Sequence, residues 1–549
     1  MKPDSDVDHL AQMNLRRFLS SDSVPHPWFP ALDHTESEEL VVTRYCALVP
    51  TKEIHDLIEH SGGWDFRIGG GRPWVWTAGG HEPQQGYETY GNERGIEPIV
   101  IMRVYDHNRP SRVELAQEFR LYHNLFDDRK KSRFLIADPD GNETEAAHYT
   151  DSTMEIRTDL LLEFCAAKQM ALAIYVNGFA YSKKTLEQLG LSETTDSQKG
   201  ACFGCNYSLQ PLDAFVDDAR KTISKVLGKR YVLPGPMPDQ RARKPENYQE
   251  FIIATQPTGE SIRHACDPDA LANTFSANPD APHYLTPVFF RPEVLAKYYA
   301  EPEKYEVEDG QVRCLGTWSI RIDNDHEDYV VAWLGDLGRD LSENERSYWI
   351  SYNIPPLGRK ISKTNYTRSI RGWFANPRKA DLAFKLEYRI FRDDFARAMG
   401  WDFFLELHDA DQYCFRSLHA PLTENGAEFD DNLINLTKLL VDSLNESEIA
   451  KRLTSSVADE KGITKLKRYF EENNLPDGLP HIEFLRKLQE LRSTSAAHRK
   501  GKKFERALVG LGLEDVGYKQ VFNHLLAQAR GFVAFLRTAF NVPDRDAPV

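Results

Sequence analysis

From Gly517 to Phe540 the chain carries apolar side chains on two faces of one helix. Val521, Leu525, Phe532 and Leu536 mark one face; Phe522, Leu526, Val533 and Phe540 mark the other. A helix apolar on two sides must be buried on two sides, so it requires a bundle around it. The preceding residues supply one. Leu433, Leu436, Leu440 and Leu444 share a face of a helix that Asp430 or Asp431 can cap. Gly462 to Glu472 gives a short helix, ended by NNLPDGLP, where Pro476, Gly478 and Pro480 forbid continuation. Phe484, Leu488 and Leu491 recur at i, i+4, i+7 in a third helix. One side of the last helix can pack in its own bundle, and the other against a second domain or a second copy.

Upstream the texture differs. VVTRYCALV from Val41, IVIMRV from Ile99 and MALAIYVNG from Met170 read as strands, and EIRTDLLLEFCAAKQ reads as helix. RVELAQEFRLYHNLF places Leu115, Phe119, Tyr122 and Phe126 at helical spacing. SETTDSQKG, Ser192 to Gly200, reads as a surface connection and a domain edge. GTWSIRI and DYVVAWLGD flank a polar turn, which suggests a hairpin. The expected class is α+β: mixed α/β N-terminal and middle regions, then an all-α C-terminal bundle. The expected divisions are an irregular lead-in at 1–39, an α/β domain at 40–195, a β-rich α/β domain at 196–425 and the helical domain at 426–549.

At 549 residues with 41% hydrophobic side chains, the chain can bury roughly three cores. Its net charge of −15 argues against coating nucleic acid or anionic membrane with the whole surface, so any such contact must use local patches. The N-terminus MKPDSDVDHL lacks the basic and apolar regions of a signal peptide, and no window approaches the run of ~20 apolar residues that a spanning helix needs. Seven scattered cysteines, with one close pair in CFGC, fit a reducing cytoplasm better than a disulfide framework or a zinc site. The Gly- and Trp-rich RIGGGRPWVWTAGG is neither a Walker loop nor a dinucleotide fingerprint.

Two local patches carry chemistry in the middle region. Leu357 to Ala380 contains no acidic residue and holds Arg359, Lys360, Lys363, Arg368, Arg371, Arg378 and Lys379, interleaved with Tyr366, Trp373 and Phe374. Cations track a phosphate backbone and aromatic faces stack on bases, so this stretch is a candidate nucleic-acid contact; the alternative is a loop whose cations pair with the chain's own carboxylates. The turn Asp323-Asn324-Asp325-His326-Glu327-Asp328 resembles a metal loop only superficially. An EF-hand needs Gly at its sixth and Glu at its twelfth position, where this chain has Asp328 and Leu334. A solvated hairpin tip is the expectation, and no metal or cofactor is assigned.

The third patch lies at His481 to Arg506. Between Arg486 and Arg506 eight Lys and Arg face two Asp and Glu, a net of +6 against the sign of the whole chain. Within it Arg492 and His498 are separated by five residues. A compact C-terminal helical domain with Arg, a short polar spacer and His late in it resembles the HEPN superfamily, whose ribonucleases carry an R-x(4–6)-H motif. The resemblance covers about Asp430 to Val549. It implies homodimerisation through the helical domain and metal-independent RNA cleavage at a composite site in the dimer cleft, in members that serve antiviral defence or stress response. Ser493 stands where active members often have Asn, Asp or His.

The chemistry agrees with that reading. Metal-free RNA cleavage uses the 2′-hydroxyl as internal nucleophile and needs a proton-transfer group near neutrality, a role for His498. It also needs a fixed cation on the phosphate, which Arg492 supplies as an always-protonated fork. Residues six apart on one helix point roughly 120° apart, so the Ser-Thr-Ser run must end the helix or a second protomer must contribute. Arg499, Lys500, Lys502 and Lys503 would hold flanking phosphates, with Arg359, Lys363, Arg368, Arg371 and Trp373 as a further nucleic-acid surface. The expected protein is a cytoplasmic RNA-binding effector or ribonuclease governed by its N-terminal domains. Two alternatives stand beside it: a non-catalytic dimerisation or ligand-sensing protein, and a metal-dependent nuclease using Asp323, Asp325, His326 and Asp328.

Overall fold

The computed structural model describes residues 6–60, 74–79, 84–88, 95–103, 105, 108–212, 219–238, 247–455, 457, 459–495, 508–509, 513 and 516–543. The protein is α+β, with a large antiparallel sheet and a helical C-terminal region. It divides into two compact units, the first comprising Met1–Asp138 and Asn142–Lys244 and the second Pro139–Gly141 and Pro245–Val549.

The first unit is built on an 11-stranded sheet. Its strands are β1 (Trp28–Glu36), β2 (Leu40–Pro50), β3 (Val100–Arg103) and β4 (Arg112–Leu115), the last two forming a separate hairpin. There follow β5 (Phe126–Asp128), β6 (Arg133–Ala137), β7 (Glu143–Tyr149), β8 (Thr153–Arg157), β9 (Met170–Ser182), β10 (Thr194–Gly200), β11 (Phe203–Pro211) and β12 (Thr222–Val232). The sheet order is β10-β11-β12-β9-β2-β1-β8-β7-β6-β5, with Glu97–Pro98 beside β2. β9 occupies the middle because its run from Met170 to Val176 is apolar and fully buried, as a strand covered on both faces requires. Its Tyr175 pairs in register with Tyr45 of β2, and the rings stack with centroids 5.0 Å apart.

Three segments differ from the sequence expectation here. Within the stretch expected to be irregular, the described residues from Asp6 onward carry helices at Asp6–Ala11 and Met13–Ser20 that lie on the sheet, and β1 follows. The short helix Met13–Ser20 approaches closely because Gly178 and Gly228 carry no side chain; a Cβ at either would meet Leu15 or Leu19 at 2.6 and 2.2 Å. Its amphipathic pattern is only eight residues long, and the prolines before and within β1 mask the strand. Ser192–Gly200 largely forms β10, a polar edge strand held by backbone pairing to β11 rather than by burial. The helix read over Arg112–Phe126 is a strand and then a helix at Gln117–Tyr122, leaving Tyr122 and Phe126 exposed. In RIGGGRPWVWTAGG only Trp74–Gly79 is described, within which Trp74–Ala78 pairs with Gln84–Glu88. Cys202 and Cys205 are free thiols.

The second unit combines a 6-stranded sheet with the helical bundle. The sheet holds β13 (Pro287–Phe290), β14 (Tyr305–Glu308), β15 (Gln311–Cys314), β16 (Trp318–Asp323), β17 (Val330–Trp333) and β18 (Asn353–Ile354), in the order β14-β15-β16-β17-β13-β18. β16 and β17 pair antiparallel across the polar turn, as the alternating pattern predicts. The bundle comprises α1 (Ala380–Met399), α2 (Gly426–Thr437), α3 (Gly462–Glu472), α4 (Leu479–Ser495) and α5 (Tyr518–Ala539) as its main helices.

Its core begins upstream of residue 426. Phe384, Tyr388, Phe391 and Phe395 of α1 share one apolar cluster with Leu433, Leu436, Leu440 and Leu444, and with both faces of α5. Phe540 packs against that cluster partly buried. Arg530 clamps Glu387 through two bonds of 2.9 and 2.6 Å, and Arg537 bonds Asp394 at 3.0 Å, tying α5 to α1. α2 is capped not by Asp430 or Asp431 but by Asn425, whose side chain accepts from the Ala427 amide at 2.9 Å. Among the described residues no helix is long and apolar enough to cross a membrane.

Candidate nucleic-acid interface

The polar turn after β16 is not a solvated tip. Asp323 and Asn324 are buried, and their side chains serve the backbone around them. Asp323 Oδ2 accepts from the Ser362 amide at 2.6 Å, and Asn324 Oδ1 from the Gly310 amide at 2.9 Å. Asp325 takes three donors: the Thr364 hydroxyl at 2.6 Å on Oδ2, and the amides of Arg378 and Lys379 at 2.7 and 2.6 Å on Oδ1. Two carboxylates thus hold both ends of the basic stretch. Their lone pairs are used by N–H and O–H groups, which is a different task from ligating a cation. Among the described residues no group of three or more His, Cys, Asp and Glu has the arrangement of a metal site.

Between those anchors the chain makes a short helical turn and a wide turn over Tyr366–Ile370. Ser362 caps the turn by accepting from the Asn365 amide at 2.9 Å. Arg368 works inward. It bonds both oxygens of Asp309, at 2.9 and 2.6 Å, and the Ala375 carbonyl at 2.8 Å. It therefore shapes the loop instead of presenting its fork outward. Lys379 is also buried, with Nζ 3.7 Å from Asp381.

The remaining cations behave differently. Arg359 bonds the Pro355 carbonyl at 2.9 Å and lies 5.8 Å from the Tyr329 ring centroid. Lys360, Lys363, Arg371 and Arg378 are exposed, and among the described residues none has a carboxylate partner. In a chain with fifteen excess negative charges, unpaired cations on one loop are not a default outcome. The loop also turns its aromatics outward: Trp373 is 63% and Phe374 76% exposed. The Arg371 guanidinium lies 5.0 Å from the Trp373 centroid and 5.8 Å from that of Tyr366, so its charge sits among ring faces.

Comparison with protein-family models, curated proteins and solved structures gives no match for this chain.

Arg492 occupies the last turn of α4, beside the fully buried Leu491. Its guanidinium bonds Asp442 Oδ2 at 2.6 Å, with both side chains about one-third exposed or more. After Arg492, Ser493 and Thr494 turn their hydroxyls back to the Glu490 carbonyl at 2.8 and 2.9 Å. His498, Arg499, Lys500, Lys502 and Lys503 lie outside the described residues.

The carboxylate staples were not foreseen from the sequence. Their signal is the pairing of Asp323 and Asp325 with a downstream acid-free stretch rich in backbone donors, and it becomes readable only once the hairpin fixes which way each side chain points.

Proposed function

We propose that this chain is an RNA-binding effector whose second unit grips single-stranded RNA through the loop 359–378 and carries a HEPN-type, metal-independent ribonuclease centre at Arg492 and His498. The observation that supports this reading is the set of outward cations, without carboxylate partners among the described residues, on a loop that also exposes Trp373 and Phe374. A strand's phosphates would meet Arg359, Lys360, Lys363, Arg371 and Arg378, and an unstacked base would lie on Trp373. Arg368 would act as the brace that keeps the loop in shape.

At the second centre, Arg492 would release Asp442 and take the scissile phosphate, while His498 moves the proton between the 2′-hydroxyl and the leaving oxygen. The resemblance implies that two copies pair through the helical region, with Arg499, Lys500, Lys502 and Lys503 on flanking phosphates. A role in antiviral defence or stress response rests on the resemblance alone.

The test is cleavage of single-stranded RNA with and without EDTA by the wild type, His498→Ala and Arg492→Ala. EDTA-resistant cleavage lost in both variants supports the proposal. RNA binding without cleavage reduces the protein to a non-catalytic binder. Cleavage that EDTA abolishes and that neither variant affects contradicts it.

A further inference from the structure

The first unit holds a cleft of about 1020 Å³ between the β3–β4 hairpin, the helix Gln117–Tyr122 and the strands β5 and β6. Its walls carry Arg103, Arg112, Arg120 and Arg129 alongside Glu97, Glu114, Glu118 and Asp127. Each carboxylate is engaged, Asp127 through Oδ2. Lys168 bridges Glu97 and Glu118 at 2.6 and 2.8 Å, Arg103 reaches Glu114 at 3.4 Å, and Arg129 bonds Asp127 Oδ2 at 3.0 Å.

Two guanidiniums are left over. Arg112 has no carboxylate partner among the described residues, and it is the direct cross-strand partner of Arg103. Like charges facing each other across a strand pair are destabilising unless something neutralises them. Arg120 lies 5.5 Å from the Phe134 centroid, and among the described residues its buried Nε has no acceptor. Leaving a buried guanidinium N–H without an acceptor is costly, so it marks a place where an acceptor belongs. On the same wall Asp127 Oδ1 is buried and has no donor among the described residues. Phe134 and Tyr149, with centroids 5.6 Å apart, provide an aromatic side. Burial raises the Tyr149 phenol and Asp127 adds to the rise, while the charges of Arg112 and Arg129 oppose it.

We infer that this cleft binds a small organic phosphate whose body carries a hydroxyl or amino group. The phosphate would bridge Arg112 and Arg120 and relieve the Arg103–Arg112 repulsion. The ligand's donor would reach Asp127 Oδ1, and its apolar or aromatic part would lie on Phe134 and Tyr149. A nucleoside monophosphate is a compact member of that class and fits the volume. The inference concerns the first unit alone and stands whether or not the RNA reading holds.

The test titrates the full-length protein with AMP, pyrophosphate and adenosine by calorimetry, in the wild type, Arg120→Gln and Arg112→Gln, with thermal melting of each unliganded variant as a folding control. AMP and pyrophosphate are expected to bind, and each substitution to weaken both by about tenfold. Adenosine is expected to bind far more weakly than AMP. If Arg120→Gln melts early, the exposed Arg112→Gln carries the test. No heat with AMP or pyrophosphate up to millimolar concentration would overturn the inference. So would affinity unchanged in both folded variants, or adenosine binding as tightly as AMP.

Discussion

Asp325 accepts the Lys379 amide on one oxygen and the Thr364 hydroxyl on the other, both at 2.6 Å, so one carboxylate closes a loop of some fifteen residues. Charge-assisted bonds of this kind are among the stronger ones in proteins. Asp325→Ala should cost about 2 kcal/mol of stability, because two amides and a hydroxyl lose their acceptor. Chemical denaturation measures the loss. Limited proteolysis should cut first between Lys360 and Arg378. Resistance equal to wild type would show that the loop holds its shape without the staple.

The exposed cations make a distinct prediction about salt. Each phosphate contact on a single strand contributes about 0.7 to the slope of log K against log salt. Replacing Lys360, Lys363 and Arg378 together by Gln should lower that slope by about 2 without changing the melting temperature. Arg368→Gln should behave differently, destabilising the fold through its lost bonds to Asp309 and Ala375. Binding isotherms at several salt concentrations separate the two effects.

Arg492 and Asp442 form a partly exposed ion pair, and such pairs are worth about 1 kcal/mol or less. Arg492→Ala and Asp442→Asn should therefore destabilise the protein by similar small amounts. They should differ in chemistry: the first should abolish EDTA-resistant cleavage, and the second should retain it. Equal activity in the two variants would mean that Arg492 is only a helix-end cation.

Lys385 gives the clearest pH effect. It projects from α1 and donates to the carbonyls of Arg416 and Leu418 at 3.0 and 3.4 Å. Burial pushes its ammonium down to about 8, while Asp381, Glu308 and Glu306 pull the other way. In the unfolded chain the amine keeps its ordinary value of about 10.4. Between those values the unfolded chain holds a proton that the folded protein has released. Stability should therefore rise as pH goes from about 8 towards 10, and the cost of the buried charge is fully present below 8. Because the side chain is only half-buried, the gain is about 1 kcal/mol, reduced for solvent screening. Lys385→Met should lack it when unfolding is followed at neutral and alkaline pH.

The bundle was legible because its signal is repetitive: the Leu433–Leu444 stripe and the two-faced last helix leave little choice. The central strands were legible for a similar reason, since Met170–Val176 is apolar without interruption. Edge strand β10 was not, because pairing holds its polar residues in place and burial leaves no mark on them. The N-terminal helices were hidden by shortness, and their docking depends on Gly178 and Gly228, more than 150 residues away. The basic loop was visible as composition. Which of its cations face outward was decided by Asp309, Asp323 and Asp325, whose distance along the chain no local pattern reports.

The proposed grip of the loop bearing Arg371 and Trp373 on single-stranded RNA has a simple binding signature. Fluorescence anisotropy of a labelled, unstructured oligoribonucleotide tests it directly, comparing wild type with the Arg371→Ala/Trp373→Ala variant at one salt concentration. Losing one stacked base and one cation should weaken binding by about 30-fold or more, with the melting temperature unchanged. Equal affinity in the two proteins would show that the loop does not hold the RNA.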